Sequence, residues 1–456
     1  MPQTGYSGPG AIETGEGDAL KIPTAAGAVL ALAFWIVAGM PAFAQSLEEE
    51  LQGLINGNPE ILAGRRNLES TIHGVNRAFA GYLPKVDATG ESGPEHIDSP
   101  LLRDANQPDW NKVKQVAGIA VTQNLFDGFG TPSAVRTARL NVEVAAFTLT
   151  GTRQDVLFRG AQAYVDVLRR ARLVELARLS ETTIKRQLHL EDERVERGAG
   201  IAVDVLQAKS RLQIAKERRV AFEGALADAV ARYIQVFGHG PDRERMTEPV
   251  PPEALLPQDL DEALKVADRE NPLVNSSRAT VEVARERRRA ARADYYPTVN
   301  VVAGANYEKD VDLVEGERRD YSLVLRATWN LFNGFATKAG VAQAAADYRA
   351  SQDNHETALR RVIDDTRRAW HELMTARQRV ELLDNAVNIA AEVFVARRRL
   401  REAGKETVIN VLDAENEVNN ARISLADATA DAKIAVYRVL QGMGRLDAGE
   451  LNLKID

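Results

Sequence analysis

The chain has 456 residues, with 65 acidic against 58 basic side chains and a net charge of −7. That balance gives no reason to expect a nucleic-acid partner. Cysteine is absent, which excludes disulfides, thiolate metal sites and lipidation on cysteine.

At the start, Lys21 precedes an apolar run from Ala25 to Met40, followed by the small-x-small cleavage pattern Ala42-Phe43-Ala44. Residues 1–44 read as a secretory signal cut after Ala44. Glu13, Glu16 and Asp18 make the leading segment long and acidic, so translation could begin downstream. An uncleaved anchor is the alternative, though the run is short of the ~20 apolar residues of a spanning helix.

Past the signal, nearly the whole chain is one unit used twice. Gln123-Asn124-Leu125-Phe126-Asp127-Gly128-Phe129 returns as Trp329-Asn330-Leu331-Phe332-Asn333-Gly334-Phe335, and Gly198 with Val205-Leu206 returns as Gly404 with Val411-Leu412. Asn58-Pro59 and Tyr82 return as Asn271-Pro272 and Tyr295. A long internal repeat fixes architecture before any single residue is interpreted. The spacing between copies is shorter after the hairpins than before them, which places a length difference in the hairpin loops.

The first repeat, 45–238, reads as a helix over 47–81, a β-hairpin over 83–124, a long helix over 131–197 and a returning helix over 201–237. A proline-rich linker covers 239–259. The second repeat, 260–445, reads as a helix over 260–294, a hairpin over 297–330, a long helix over 336–403 and a returning helix over 407–441, with a tail over 446–456. The hairpins show a period of two: Val299, Val301, Ala303, Ala305 and Tyr307 face one way, as do Tyr321, Leu323, Leu325 and Ala327. Loops are expected over 91–111 and 308–320. In the helices, Ala369, Leu373, Ala376, Val380 and Leu383 keep a heptad, as do Val411, Ala414, Val418 and Ala421, which predicts left-handed coiled-coil packing. At ~1.5 Å per residue each long helix spans about 100 Å, matched by an opening and a returning helix end to end.

Four strands cannot span a membrane alone, because every backbone group in hydrocarbon must be paired. Closed barrels start at about eight strands, so a trimer with twelve is the expected assembly. The alternative is a soluble hairpin capping a helical bundle. Parts for an enzyme are lacking: the six histidines are scattered, and His371-Glu372 is not completed as a zinc motif because Thr375 holds the second histidine position. No metal site or cofactor is expected.

Together, the paired Asn-Pro steps, Tyr82-Leu83-Pro84 and Tyr295-Tyr296-Pro297, the two Leu-Phe-x-Gly-Phe turns and the two Gly-x₆-Val-Leu tips resemble the TolC family of outer-membrane efflux and secretion channels, over about residues 46–445. The resemblance implies an α+β membrane fold: a long α-helical coiled-coil barrel, plus four β-strands per chain completing a 12-stranded trimeric β-barrel. It implies a homotrimer in outer-membrane lipid, of the branch without a lipid anchor. Its role would be a passive conduit for drugs and toxic compounds, served by a periplasmic adaptor and an inner-membrane pump of the resistance-nodulation-division or ATP-binding-cassette type. Type I protein secretion is the close alternative, and a periplasmic coiled-coil scaffold a more distant one. The family's constriction positions fall on Asn410 and Asp413, a further acidic gate position on Asp204, and its partners on Arg401 and Glu406. A pairing of Arg401 with Asp204 is expected. Gly198, Gly200, Val205, Leu206, Gly404, Val411 and Leu412 are expected at adaptor-docking tips. Tyr82, Phe126, Phe129, Tyr295, Trp329, Phe332 and Phe335 are expected at the junction of barrel and helices, as packing or as an aromatic girdle.

Overall fold

The computed structural model describes residues 45–198, 201–451 and 453–454; the secretory-signal reading of 1–44 lies outside them. The first half runs α1 (Leu47–Gly57), α2 (Pro59–Phe79), β1 (Lys85–Ile97), α3 (Pro100–Asp104), β2 (Trp110–Asp127), α4 (Gly130–Glu196) and α5 (Ala202–Phe237). The second runs α6 (Leu260–Glu270), α7 (Pro272–Ala290), β3 (Thr298–Val311), β4 (Val314–Thr328), α8 (Ala336–Glu402) and α9 (Val408–Met443).

The single opening helices expected over 47–81 and 260–294 are each two helices. Asn58 and Asn271 stand in extended backbone between them, as residues before proline favour. Their side-chain oxygens accept from Glu60 N and Leu273 N, each at 2.9 Å, and so cap the second piece. Pro59 and Pro272 follow at the first helical position, where a missing N–H costs nothing. The repeated Asn-Pro step is therefore a helix junction.

α4 and α8 have 67 residues each, about 100 Å at ~1.5 Å per residue. α2 and α5 pack along successive parts of α4: Gly64 of α2 meets Leu149, and Leu212 of α5 meets Ile184. α7 and α9 flank α8 in the same way. The main core gathers Leu47, Leu54, Leu157, Tyr164, Tyr233, Leu373, Leu440 and Met443 from five of these helices. Leu446 and Ala448, in the segment read as a tail, are fully buried in it.

The strands form one antiparallel sheet in the order β1-β2-β3-β4, so β2–β3 pairing joins the two hairpins and β1 and β4 are its edges. Rows across the sheet are regular. Val86, Val121, Ala303 and Leu323 are one row, and Ala88, Ile119, Ala305 and Tyr321 the next. Those side chains make an apolar, exposed face. The other face is polar: a Cβ on Gly118 would meet Thr89 Oγ1 and Asn306 Oδ1, and one on Gly304 would meet Ser322 Oγ. A bulge between Asn124 and Phe126 turns Phe126 onto the row of Val299.

The second expected loop is largely strand, and the first is strand only at its two ends. β3 and β4 are joined by Asp312 and Leu313 alone, both at positive φ (52° and 67°), the geometry of a tight two-residue hairpin turn. Cross-strand pairing of Glu308 with Arg318 and of Lys309 with Glu317 holds the segment; opposite charges facing each other stabilise strands as apolar pairs do. In the first hairpin β1 runs on through Pro94, tolerated on an edge strand, and the connection carries α3. The longer first hairpin therefore spends its extra residues between β1 and β2.

Candidate functional site

Two regions repeat chemistry across the halves: the turn from sheet to long helix, and the opposite helix tips. At the sheet end, Gly128 and Phe129 are both left-handed (φ 67° and 70°), as are Gly334 and Phe335 (66° and 67°). Phe126 and Phe129 meet edge-to-face at 5.4 Å, and so do Phe332 and Phe335. Gln123 Nε2 donates to Tyr82 O at 3.1 Å, and its counterpart Trp329 Nε1 donates to Tyr295 O at 3.2 Å. Asp127 Oδ2 caps the start of α4 through Thr131 N at 2.6 Å, and Asn333 reaches Thr337 at the start of α8. Tyr296 completes an aromatic cluster with Phe126 and Phe129, and Phe129, Tyr296, Phe332, Phe335 and Trp329 are all exposed.

Gly128 is the constrained glycine of the pair. A Cβ there would lie 2.4 Å from the backbone oxygen of Ala293, while one on Gly334 would meet nothing within 4 Å. Both carry the left-handed penalty of about 1–2 kcal/mol for a side chain. Gly128→Ala is therefore expected to lower the thermal midpoint of the detergent-solubilised protein clearly more than Gly334→Ala, followed by circular dichroism. Equal midpoints would remove the close approach as a cause.

At the tips, Gly198 and Gly404 take φ of 74° and 73° just beyond α4 and α8, where a left-handed residue ends a helix without strain. Gly200 lies outside the described residues. Val205, Val411 and Leu412, expected to dock a partner, are buried. They lie on the inner stripes of α5 and α9, with Leu412 packed on Ala208, Leu212 and Val408. Leu206 is 64% exposed, and Ile201 and Val203 beside it are exposed as well. Sequence reasoning did not single out these two.

The expected Arg401–Asp204 pair is present but secondary. Arg401 Nη2 is 3.7 Å from Asp204 Oδ2. Its close partner is Glu191 of α4, held in bidentate fashion through Nη2 at 2.5 Å and Nε at 3.2 Å. The Glu191 side chain is 2% exposed and also meets Arg194 at 3.1 Å. Arg401 Nη1 donates to the backbone oxygen of Glu406 at 3.0 Å, so one guanidinium ties α8, α4 and the α8–α9 turn. Glu191 was missed because the second repeat has Arg397, not a carboxylate, at its counterpart.

Asn410 joins this cluster through Glu406, and Asp413 lies outside it. Asn410 donates to Glu406 Oε1 at 2.5 Å, and with Thr407 N this holds the Glu406 carboxyl below its ordinary range. Asp413 accepts from Arg211 Nη2 of α5 at 2.7 Å and is half exposed. The tips are thus tied by charge at two levels: α8 to α4 through Arg401, and α9 to α5 through Asp413. Among the described residues no helix is long and apolar enough to cross a membrane, and no group of three metal-binding side chains occurs.

The chain matches the model of the family described as outer membrane efflux protein over residues 51–239 and 263–445, one block per repeat. It is 24% identical to outer membrane efflux protein BepC of Brucella suis biovar 1, over 94% of this chain and 91% of that protein. It is 23% identical to alkaline protease secretion protein AprF of Pseudomonas aeruginosa, over 92% and 89%. The crystal structure of the outer membrane protein VceC of Vibrio cholerae superposes with a TM-score of 0.76 at 16% identity, covering 87% of this chain and 96% of that one. The fold, with its single sheet and paired long helices, is that of these channels, and the chain belongs to the outer membrane efflux protein family, a protein of the outer membrane.

Proposed function

We propose that three copies of this chain form a passive efflux channel that carries drugs and other toxic compounds out through the outer membrane. The observation that carries this reading is the sheet. It has four strands, an apolar exposed face, and two edges, β1 and β4, that pair with no other strand among the described residues. In hydrocarbon such edges must be closed. Joining β4 of one copy to β1 of the next closes them, and three copies give twelve strands with the polar face lining a lumen. The helices continue the lumen into the periplasm. Their tips, bound by Arg401–Glu191–Asp204 and Arg211–Asp413, form a gated entrance. There a periplasmic adaptor docks on Leu206 and its exposed neighbours and links the channel to an inner-membrane pump. The junction aromatics stand at the inner boundary of the membrane.

Deletion of the gene tests this. Susceptibility to a panel of dyes and antibiotics is expected to rise. Unchanged susceptibility would turn the reading to type I protein secretion, which the similarity to a protease secretion protein favours as the second role. Extraction of the protein without detergent would sink both and leave the scaffold.

A further inference from the structure

Above the tips, one carboxyl lies where a charge is costly. Glu415 of α9 is 7% exposed and faces α4 and α5. Its Oε1 accepts from Ser180 Oγ of α4 at 2.8 Å, and Oε2 has no hydrogen-bond partner among the described residues. Glu415 lines a cavity of about 30 Å³ with Ser180, Arg211, Arg218, Leu412 and Asn419. A water needs about 10–15 Å³, so the space admits water.

The surrounding charges are few and engaged. α4 lines the cavity with Ala177, Ser180 and Ile184, and Glu181 beside them is held by Lys185 and Arg219. α5 supplies Arg211, which donates to Asp413 at 2.7 Å, and Arg218, which donates to Asn420 at 2.9 Å. α9 adds Arg422, which acts on Glu415 only through space. Burial holds the Glu415 carboxyl above its ordinary range, against the pull of Ser180, Arg218 and Arg422. A neutral carboxyl suits this arrangement, because it leaves no unpaired buried charge.

We propose that Glu415 is a proton-binding site that sets how α9 packs on α4 and α5: protonated, it stays bound to Ser180 in a closed contact; ionised, its unpaired charge draws water into the cavity and loosens that contact. The sign comes from the burial. The closed packing is stable while Glu415 is protonated and is weakened as pH rises through its raised range. The consequence for passage rests on the entrance reading above; the consequence for packing does not.

Two measurements on the full-length protein separate the two. In planar bilayers, single-channel conductance is expected to rise in one step with pH. Glu415→Gln should lose the step and hold the low-pH value, and Glu415→Asp should keep a step at a shifted midpoint. In detergent, the thermal midpoint of the wild type should fall across the same pH interval and that of Glu415→Gln should not. A thermal step retained in Glu415→Gln, or absent from the wild type, overturns the proposal. A thermal step lost as expected with no conductance step in the wild type keeps the proton site and removes the entrance reading instead.

Discussion

Arg401→Ser is expected to raise the single-channel conductance of the purified protein in planar bilayers, and Glu191→Ala to raise it comparably. Arg401 and Glu191 are both largely buried and bound at two points. Removing one partner of a buried pair costs up to about 3–5 kcal/mol, and here Arg194 still meets Glu191 and Asp204 still stands near Arg401, which keeps the cost at the lower end. At ~1.4 kcal/mol per tenfold change, even the lower figure shifts a closed-to-open equilibrium by about two orders of magnitude. Asp204→Asn should do less, since Asp204 stands 3.7 Å from the guanidinium and is the looser partner. The double variant Arg401→Ser/Glu191→Ala should open no further than either single one, because both remove the same tie. Arg401→Ser acting while Glu191→Ala does not would return the latch to Asp204. Conductance unchanged in both would remove the tips as a gate.

How far the sequence carries depends on which physical signal each element leaves. The duplicated turns make the two halves legible, and the heptads of α8 and α9 give their facing stripes: Ala369, Leu373, Ala376, Val411, Ala414 and Val418 are all buried. The Asn-Pro breaks are hidden, because a helix that stops for one residue leaves its hydrophobic period intact. The upper β3–β4 segment looks like loop because its pairing is between charges, and charge carries no period of two toward a core. Of the site, Asp204, Arg401 and Glu406 do come together. Glu191 is invisible because its burial depends on Arg401 of α8 reaching it, a contact 210 residues apart in sequence. The same distance hides the burial of Leu412, which looks like a tip residue beside its exposed counterpart Leu206.

The barrel reading makes a sharper demand than the gate, because it assigns opposite solvents to adjacent residues. Leu323 lies on the apolar face of β4, is 77% exposed, and stands midway between Ala327 and the charged Arg319 on the same face. Val324 is its neighbour on the polar face, two residues from Arg326. If the apolar face meets lipid, Leu323→Arg places a guanidinium near the middle of a band about 25 Å tall, at a cost of about 2–4 kcal/mol per copy. Closure repeats that cost in every subunit. Val324→Arg puts the same group into a watery lumen that already carries arginine. The expected result is loss of heat-modifiable outer-membrane oligomer for Leu323→Arg and retention for Val324→Arg, read on gels of outer-membrane fractions with and without boiling. A soluble hairpin capping a bundle predicts the reverse emphasis: Leu323, open to water, would accept arginine at little cost. Equal tolerance of both substitutions would therefore exclude the lipid-facing assignment, whatever the oligomer.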